Sequence, residues 1–324
     1  MMERKPIASL SLDLDNKWSY MKTHGDAGWQ SFPSYFDVLV PRVLEFLDGL
    51  RLTITFFAVG QDAALEKNRD AFRAIAAAGH EIGNHSFNHE PWLNLYSEQE
   101  MEEELSKAEE AIVKATGQAP VGFRGPGFSL SAVSLASLSR RGYLYDASTF
   151  PTYIGPLARL YYFLTSNLSP EERRKRQALY GRVRDGMKPV WPYTWSINDR
   201  SLLEIPVTTM PLFKFPFHVS YLIYLRAYSE TLALLYFRTA LLLCDLTHTG
   251  PSLLMHPLDF LGRDDESDLT FFPGMGLPGK TKLEFVRKVL DLFLDRYTVL
   301  PLREHAMALA NGNLQVAQTT ARWF

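Results

Sequence analysis

Apolar and polar positions alternate along the first half of the chain with two different periods. The runs Ile7–Leu12 and Leu52–Val59, rich in Ile, Leu, Thr and Phe, predict strands. Between them, Phe36–Leu50 repeats its apolar residues at helical spacing and ends at Gly49-Leu50. Ala63–Ala78 predicts a helix stopped by Gly79, and His80–Gly83 a short strand. Ser97 followed by Glu100 has the spacing of a capping box; it opens a charged helix to about Thr116, closed by Gly117. Pro120–Arg124 and Tyr143–Ala147 read as strands flanking a helix at Ala132–Arg141. Repeated βα units imply an α/β fold in which helices cover a parallel sheet, either open or closed into a barrel.

The pattern changes after Asp146. The stretch from there to His256 is far longer than one βα unit needs, and only Leu202–Val207 reads as a strand within it. Two insertions are expected, at about 152–200 and 211–248. The first holds the charge run Glu171-Glu172-Arg173-Arg174-Lys175-Arg176 and closes on Trp191-Pro192-Tyr193-Thr194-Trp195. The second is apolar and aromatic nearly all round, but Lys214, Arg226, Glu230 and Arg238 interrupt it, which argues against a bilayer-spanning helix. Regular structure resumes with the apolar run Ser252–Met255, a helix at about Lys282–Arg296 and a last strand at Thr298–Leu300. One domain over residues 1–310 and a tail over 311–324 are expected.

Composition narrows the class. The 324 residues, 46% of them hydrophobic, suffice for a large core. A net charge of −2 offers no global basic field for nucleic acid. The single cysteine, Cys244, excludes an intramolecular disulfide framework and fits a reducing compartment. The first apolar run is too short for a signal peptide, so a cytoplasmic location is expected.

In parallel α/β folds the chemistry gathers at the carboxyl ends of the strands. Asp13 and Asp15 end the first strand, His85 and His89 follow the third, and Arg124 ends the fourth. Asp146 lies in the fifth, and the run Ser252–Met255 delivers His256. All of these fall on one rim. His85 and His89 are four residues apart, a spacing that sets two imidazoles on one side of a helical turn, where both can close on a metal ion. Two histidines and one carboxylate, with positions left open, form the donor set of a hydrolytic metal centre. His24, His80, His218, His248 and His305 are assigned structural roles.

In order, the motifs are Ser-Leu-Asp-Leu-Asp, Asn-His-Ser-Phe-Asn-His, Phe-Arg-Gly-Pro-Gly, Tyr-Asp-Ala-Ser and Leu-Leu-Met-His. This series resembles the polysaccharide deacetylases, carbohydrate esterase family 4, over residues 7–150 and 202–305. The form is a subtype in which Leu14 separates the two aspartates. The resemblance implies a distorted parallel β/α barrel with a helical insertion. It implies that Asp15, His85 and His89 bind one divalent ion, with Zn2+ expected and Co2+ or Ni2+ also suited. Asp13 would be the base that takes a proton from the activated water, and His256 the acid that protonates the departing amine. Arg124 would orient Asp13, the backbone N–H of Gly127 would support the oxyanion, and Asp146 would tune His256. Trp18, Trp92 and Phe128 are candidates for a sugar-stacking wall.

The implied activity is removal of an N-acetyl group from an amino sugar of a glycan or glycan precursor. Two alternatives stand beside it: a deformylase or amidohydrolase acting on another C–N bond, and a non-catalytic glycan-binding relative. A non-haem iron oxygenase shares the donor set, but the βα alternation argues against its usual all-β scaffold. Residues 171–200 carry eight basic side chains against four acidic ones, beside apolar and aromatic sequence. This suggests contact with a lipid-linked precursor or the inner membrane face. A helical subdomain over the rim and a homo-oligomer interface are the alternatives.

Overall fold

The first strand, β1 (Ile7–Leu14), is buried at every position except its first, as befits a parallel strand covered on both faces. It pairs in parallel with β2 (Thr55–Ala58), β8 (Ser252–Met255) and β9 (Thr298–Leu300). On the far side of β2 come β3 (Glu81–Asn84), β4 (Gly122–Phe123), β5 (Tyr145–Asp146), β7 (Arg200–Glu204) and β6 (Tyr193–Ile197), in that order. The computed structural model describes residues 5–157, 160, 164, 174, 183–197 and 199–310. Beyond β7, the backbone N–H of Thr208 donates to Ser252 O of β8 at 3.0 Å, and Thr208 Oγ1 accepts from Ser252 N at 2.8 Å. The two edges of the sheet therefore meet, and the array is a distorted β/α barrel.

Helices α1 (Lys17–His24), α2 (Phe36–Asp48), α3 (Gly60–Ala64), α4 (Arg69–Ala77), α5 (Glu98–Thr116) and α6 (Ala132–Arg141) cover the first half. Helix α5 starts where the sequence places it: both halves of the Ser97/Glu100 capping box form, and Gly117 ends the helix at φ 73°. The second half adds α7 (Val219–Arg226), α8 (Glu230–Leu246), α9 (Gly279–Arg296) and α10 (Leu302–Ala310). Leu10, Leu12, Phe56, Ile82 and Met255 of the strands pack with Val43, Phe72, Ile112, Phe237, Val289 and Phe293 of the helices in one cluster. Burying each such side chain contributes about 1.5–3 kcal/mol before chain entropy is subtracted.

Two expectations change and one holds. The single helix over Ala63–Ala78 is split into α3 and α4 by a turn at Glu66–Asn68. The Asp62 carboxylate and carbonyl both accept from Asn68 Nδ2, at 3.0 and 3.2 Å, so a local side-chain bond breaks the helix. The sheet is not wholly parallel, because β6 runs antiparallel to β7. Its sequence shows the period of two: Tyr193 and Trp195 are buried while Thr194 and Ser196 are not. The second insertion is helical, with Ala233, Phe237, Ala240, Leu241 and Cys244 forming the inward face of α8. Among the described residues no helix is long and apolar enough to cross a membrane. The charge run at 171–176 lies outside the described residues apart from Arg174, and so does the tail 311–324.

Candidate metal centre

Asp15 leaves the end of β1, and His85 and His89 lie on the loop that follows β3. One donor atom from each lies within 4.8 Å of the others, and all three residues are buried. Asp15 Oδ1 is 2.9 Å from His89 Nε2 and 3.4 Å from His85 Nε2. That oxygen has no hydrogen-bond partner among the described residues. His85 Nδ1 is 2.6 Å from the carbonyl of Arg124, so Nδ1 carries the hydrogen and Nε2 turns its lone pair toward Asp15. An orphaned carboxylate oxygen facing imidazole lone pairs fits a divalent cation, which would satisfy them together. Burial alone would raise the Asp15 carboxyl, but without a metal ion the His89 and His85 rings, when protonated, outweigh it and hold Asp15 far below the usual carboxylate range.

The two histidines do not share a helical turn. Residues 85–89 form a loop in which Ser86 (φ 62°) and His89 (φ 52°) are left-handed. Side chains fix that conformation: Asn84 Oδ1 accepts from Ser86 N at 2.8 Å, and Ser86 Oγ accepts from His89 N at 3.1 Å. Glu104, buried on α5, accepts from Phe87 N, Asn88 N and Asn88 Nδ2 at 2.9, 2.6 and 2.6 Å. These charge-assisted bonds offset the cost of left-handed backbone, about 1–2 kcal/mol per residue. Nothing near the histidines in sequence points to Glu104.

Asp13 stands beside the cluster. Its Oδ1 accepts from Arg124 Nη1 at 2.6 Å, while Oδ2 is 4.0 Å from Nε2 of His85 and also 4.0 Å from Nε2 of His256. Arg124 is fully buried. It also donates to Ser11 Oγ at 2.8 Å and Ala147 O at 3.0 Å, and lies 4.2 Å above the Phe57 ring.

Asp146 does not hold His256. It accepts from Ser148 Oγ at 2.6 Å, and Ser148 Oγ in turn accepts from Gly125 N at 2.8 Å. Its other neighbour is Glu204, its register partner across β5 and β7. Burial raises both carboxyls, so the facing pair resists carrying two charges at once. Asp146 therefore braces the loop carrying Gly127 and Phe128. Gly127 takes φ +58°, and a Cβ on Gly125 would lie 2.1 Å from Ser129 O.

The partner of His256 comes from the insertion instead: Ser220 Oγ on α7 meets His256 Nδ1 at 2.9 Å. Ser220 also hydrogen-bonds Asp259. His218, given only a structural role from sequence, lies with its ring 6.1 Å from that of His256. Burial and the nearby His256 push it down to about 3, so it is neutral. Losing one neutral hydrogen bond costs about 1 kcal/mol, so Ser220→Ala is expected to lower turnover about fivefold while Ser220→Thr preserves it. Steady-state kinetics of the two variants check this.

The aromatic candidates separate. Trp18 is 1% exposed, so its ring has no face for a sugar; its Nε1 donates to both Asp62 oxygens at 3.0 Å. Asn16 and Asn68 donate to the same carboxylate, and burial pushes Asp62 up to about 7. Trp92 and Phe128 are partly exposed, and Phe128 stacks on Phe150 at 4.6 Å.

Residues 25–145 match the family model for polysaccharide deacetylase. That stretch of the chain is thus similar to the polysaccharide deacetylases. It is 33% identical over 112 residues to a peptidoglycan deacetylase of Helicobacter pylori, a match covering 35% of this chain and 37% of that protein. It is 33% identical over 106 residues to a chitin deacetylase of Colletotrichum lindemuthianum, covering 32% and 42%. The chain thus spans about two fifths of the length of these curated relatives. A Mycobacterium smegmatis structure classed with the polysaccharide deacetylases shares the fold at TM-score 0.63 and 20% identity, over 100% of this chain and 97% of that one. The matched stretch contains His85, His89, Arg124 and Gly127. Asp13, Asp15 and His256 lie outside it and reach the same rim through β1 and β8.

Proposed function

We propose that this chain is a metal-dependent hydrolase that removes the N-acetyl group from an amino sugar of a glycan or glycan precursor. One observation carries the reading: Asp13 Oδ2 stands 4.0 Å from His256 Nε2, beside the Asp15–His85–His89 cluster. A carboxylate and an imidazole thus face one another across a gap bordered by three converging donors. Relatives named peptidoglycan and chitin deacetylases support the substrate class.

The residues divide the chemistry. Asp15, His85 and His89 would hold the ion, with zinc proposed from the mixed imidazole and carboxylate set. A divalent ion there supplies Lewis acidity, polarising a carbonyl and acidifying water. Asp13 accepts the proton of the attacking water through Oδ2, because Arg124 already occupies Oδ1. His256 gives a proton from Nε2 to the departing amine, while its Nδ1 is held by Ser220. The N–H of Gly127, on the loop braced by Ser148, is proposed to meet the developing oxyanion.

Acetate release from N-acetylglucosamine oligomers tests the reading. Hydrolysis is expected to stop on chelation and return with added Zn2+. Hydrolysis that survives a strong chelator would overturn the metal-dependent mechanism.

A further inference from the structure

Helix α7 carries a row of rings that the reaction chemistry does not use. His218, at its N-cap, has its ring 6.1 Å from His256 and 6.2 Å from Tyr221. Tyr221 is 6.3 Å from Tyr224, and Tyr224 is 5.4 Å from Tyr228. Tyr221 and Tyr224 share one face of α7, and Tyr228 follows in the turn after the helix ends at Arg226, so the rings step outward. Exposure rises along the way: Tyr221 is partly buried, Tyr224 is 38% exposed and Tyr228 76%. The inner end joins the catalytic rim from a second side as well, because Phe150 lies edge-on to His218 at 5.5 Å and stacks on Phe128. Tyr236 of α8 steadies the middle of the row, 5.9 Å from Tyr221, with its own hydroxyl bonded to Pro216 O.

We propose that Tyr221, Tyr224 and Tyr228 form a saccharide track that takes the sugar units next to the one being deacetylated. This rests on the deacetylase reading and adds that the substrate is an oligomer or polymer, not a free monosaccharide. The chemistry of the row favours sugar over hydrocarbon. A tyrosine offers an apolar face to the C–H side of a pyranose and a hydroxyl to its edge. The exposed stripe of α8, Leu232, Leu235, Leu242 and Leu246, has no such polar handle. On α7 the inward residues are aliphatic, Val219, Leu222 and Ile223, so tyrosine is confined to the outer face. Through His218 the ring row begins beside His256.

The test compares a dimer and a hexamer of N-acetylglucosamine on the wild type, a Tyr224→Ala/Tyr228→Ala variant and a Tyr224→Phe/Tyr228→Phe variant. Removing two stacking faces is expected to lower kcat/KM about tenfold for the hexamer, leave the dimer within about twofold, and be rescued largely by phenylalanine. Equal losses on both oligomers, or none on either, would overturn the track. Calorimetric titration of the hexamer into an Asp13→Asn background separates this from the reaction. Weakened binding in the alanine variant supports the track even if no oligomer is hydrolysed, an outcome that would sink the deacetylase reading alone. Hexamer binding that does not depend on the tyrosines, with phosphatidylglycerol vesicles bound only when they are present, would instead assign the row to lipid and overturn the proposal.

Discussion

Asp13→Asn is expected to bind a full complement of divalent metal while losing about two to four orders of magnitude in hydrolysis, the span a positioned proton acceptor contributes. The amide matches the carboxylate in shape and can still accept from Arg124, which now donates to Oδ1 at 2.6 Å. What disappears is the basic oxygen, Oδ2, that faces His256. The Asp15–His85–His89 cluster does not include Asp13 and keeps its donors. His85→Ala supplies the contrast. It deletes one of three donors together with the 2.6 Å bond that fixes the ring to Arg124 O, and both metal and hydrolysis should be lost. Metal content by mass spectrometry, measured beside acetate release, distinguishes the two. An Asp13→Asn protein that arrives empty would move Asp13 into the ligand set; one that turns over normally would remove it as the base.

The second large effect is on stability. Arg124→Met replaces a fully buried guanidinium with an apolar side chain of similar length. Asp13 then stands buried without its partner, and Ser11 Oγ and Ala147 O each lose a donor. Breaking one side of a buried ion pair costs about 3–5 kcal/mol, which lowers the melting temperature by roughly 4–7 °C for a domain of this size. Arg124→Lys should recover only part of that, since an ammonium cannot span acceptors that a planar guanidinium bridges. Thermal unfolding of the chelated protein isolates the effect from metal binding. A melting temperature unchanged in Arg124→Met would show that Arg124 is not the counter-charge that makes the Asp13 site affordable.

The sequence made the barrel legible because the information there is local. The strands and helices up to Arg141 announce themselves by period, and Ser97, Glu100 and Gly117 mark one helix at both ends. The rim was legible too, since strand ends can be counted. What escaped were partnerships made across the fold. The His85–His89 spacing suits a helical turn, yet Glu104, on a different element, holds a loop there. Trp18 reads as part of a sugar-stacking wall, but Asp62 draws it into the interior. Asp146 was matched to His256 by motif order alone; in space it meets Glu204 and Ser148, and a serine from the insertion takes the place beside the histidine. Tyr193 and Trp195 alternate as a strand should, a signal hidden by the proline and tryptophans around them.

The place of β1 governs when the chain can acquire its chemistry. It is flanked by β2 on one side and by β8 on the other, and it also takes β9, so its neighbours are far apart in sequence. During synthesis the two aspartates emerge well before residues 252–255, and one flank of their strand stays unpaired until those follow. Until then the growing chain has no His256 to set opposite Asp13. The ribosome must therefore deliver the chain through β8 before the full constellation can assemble.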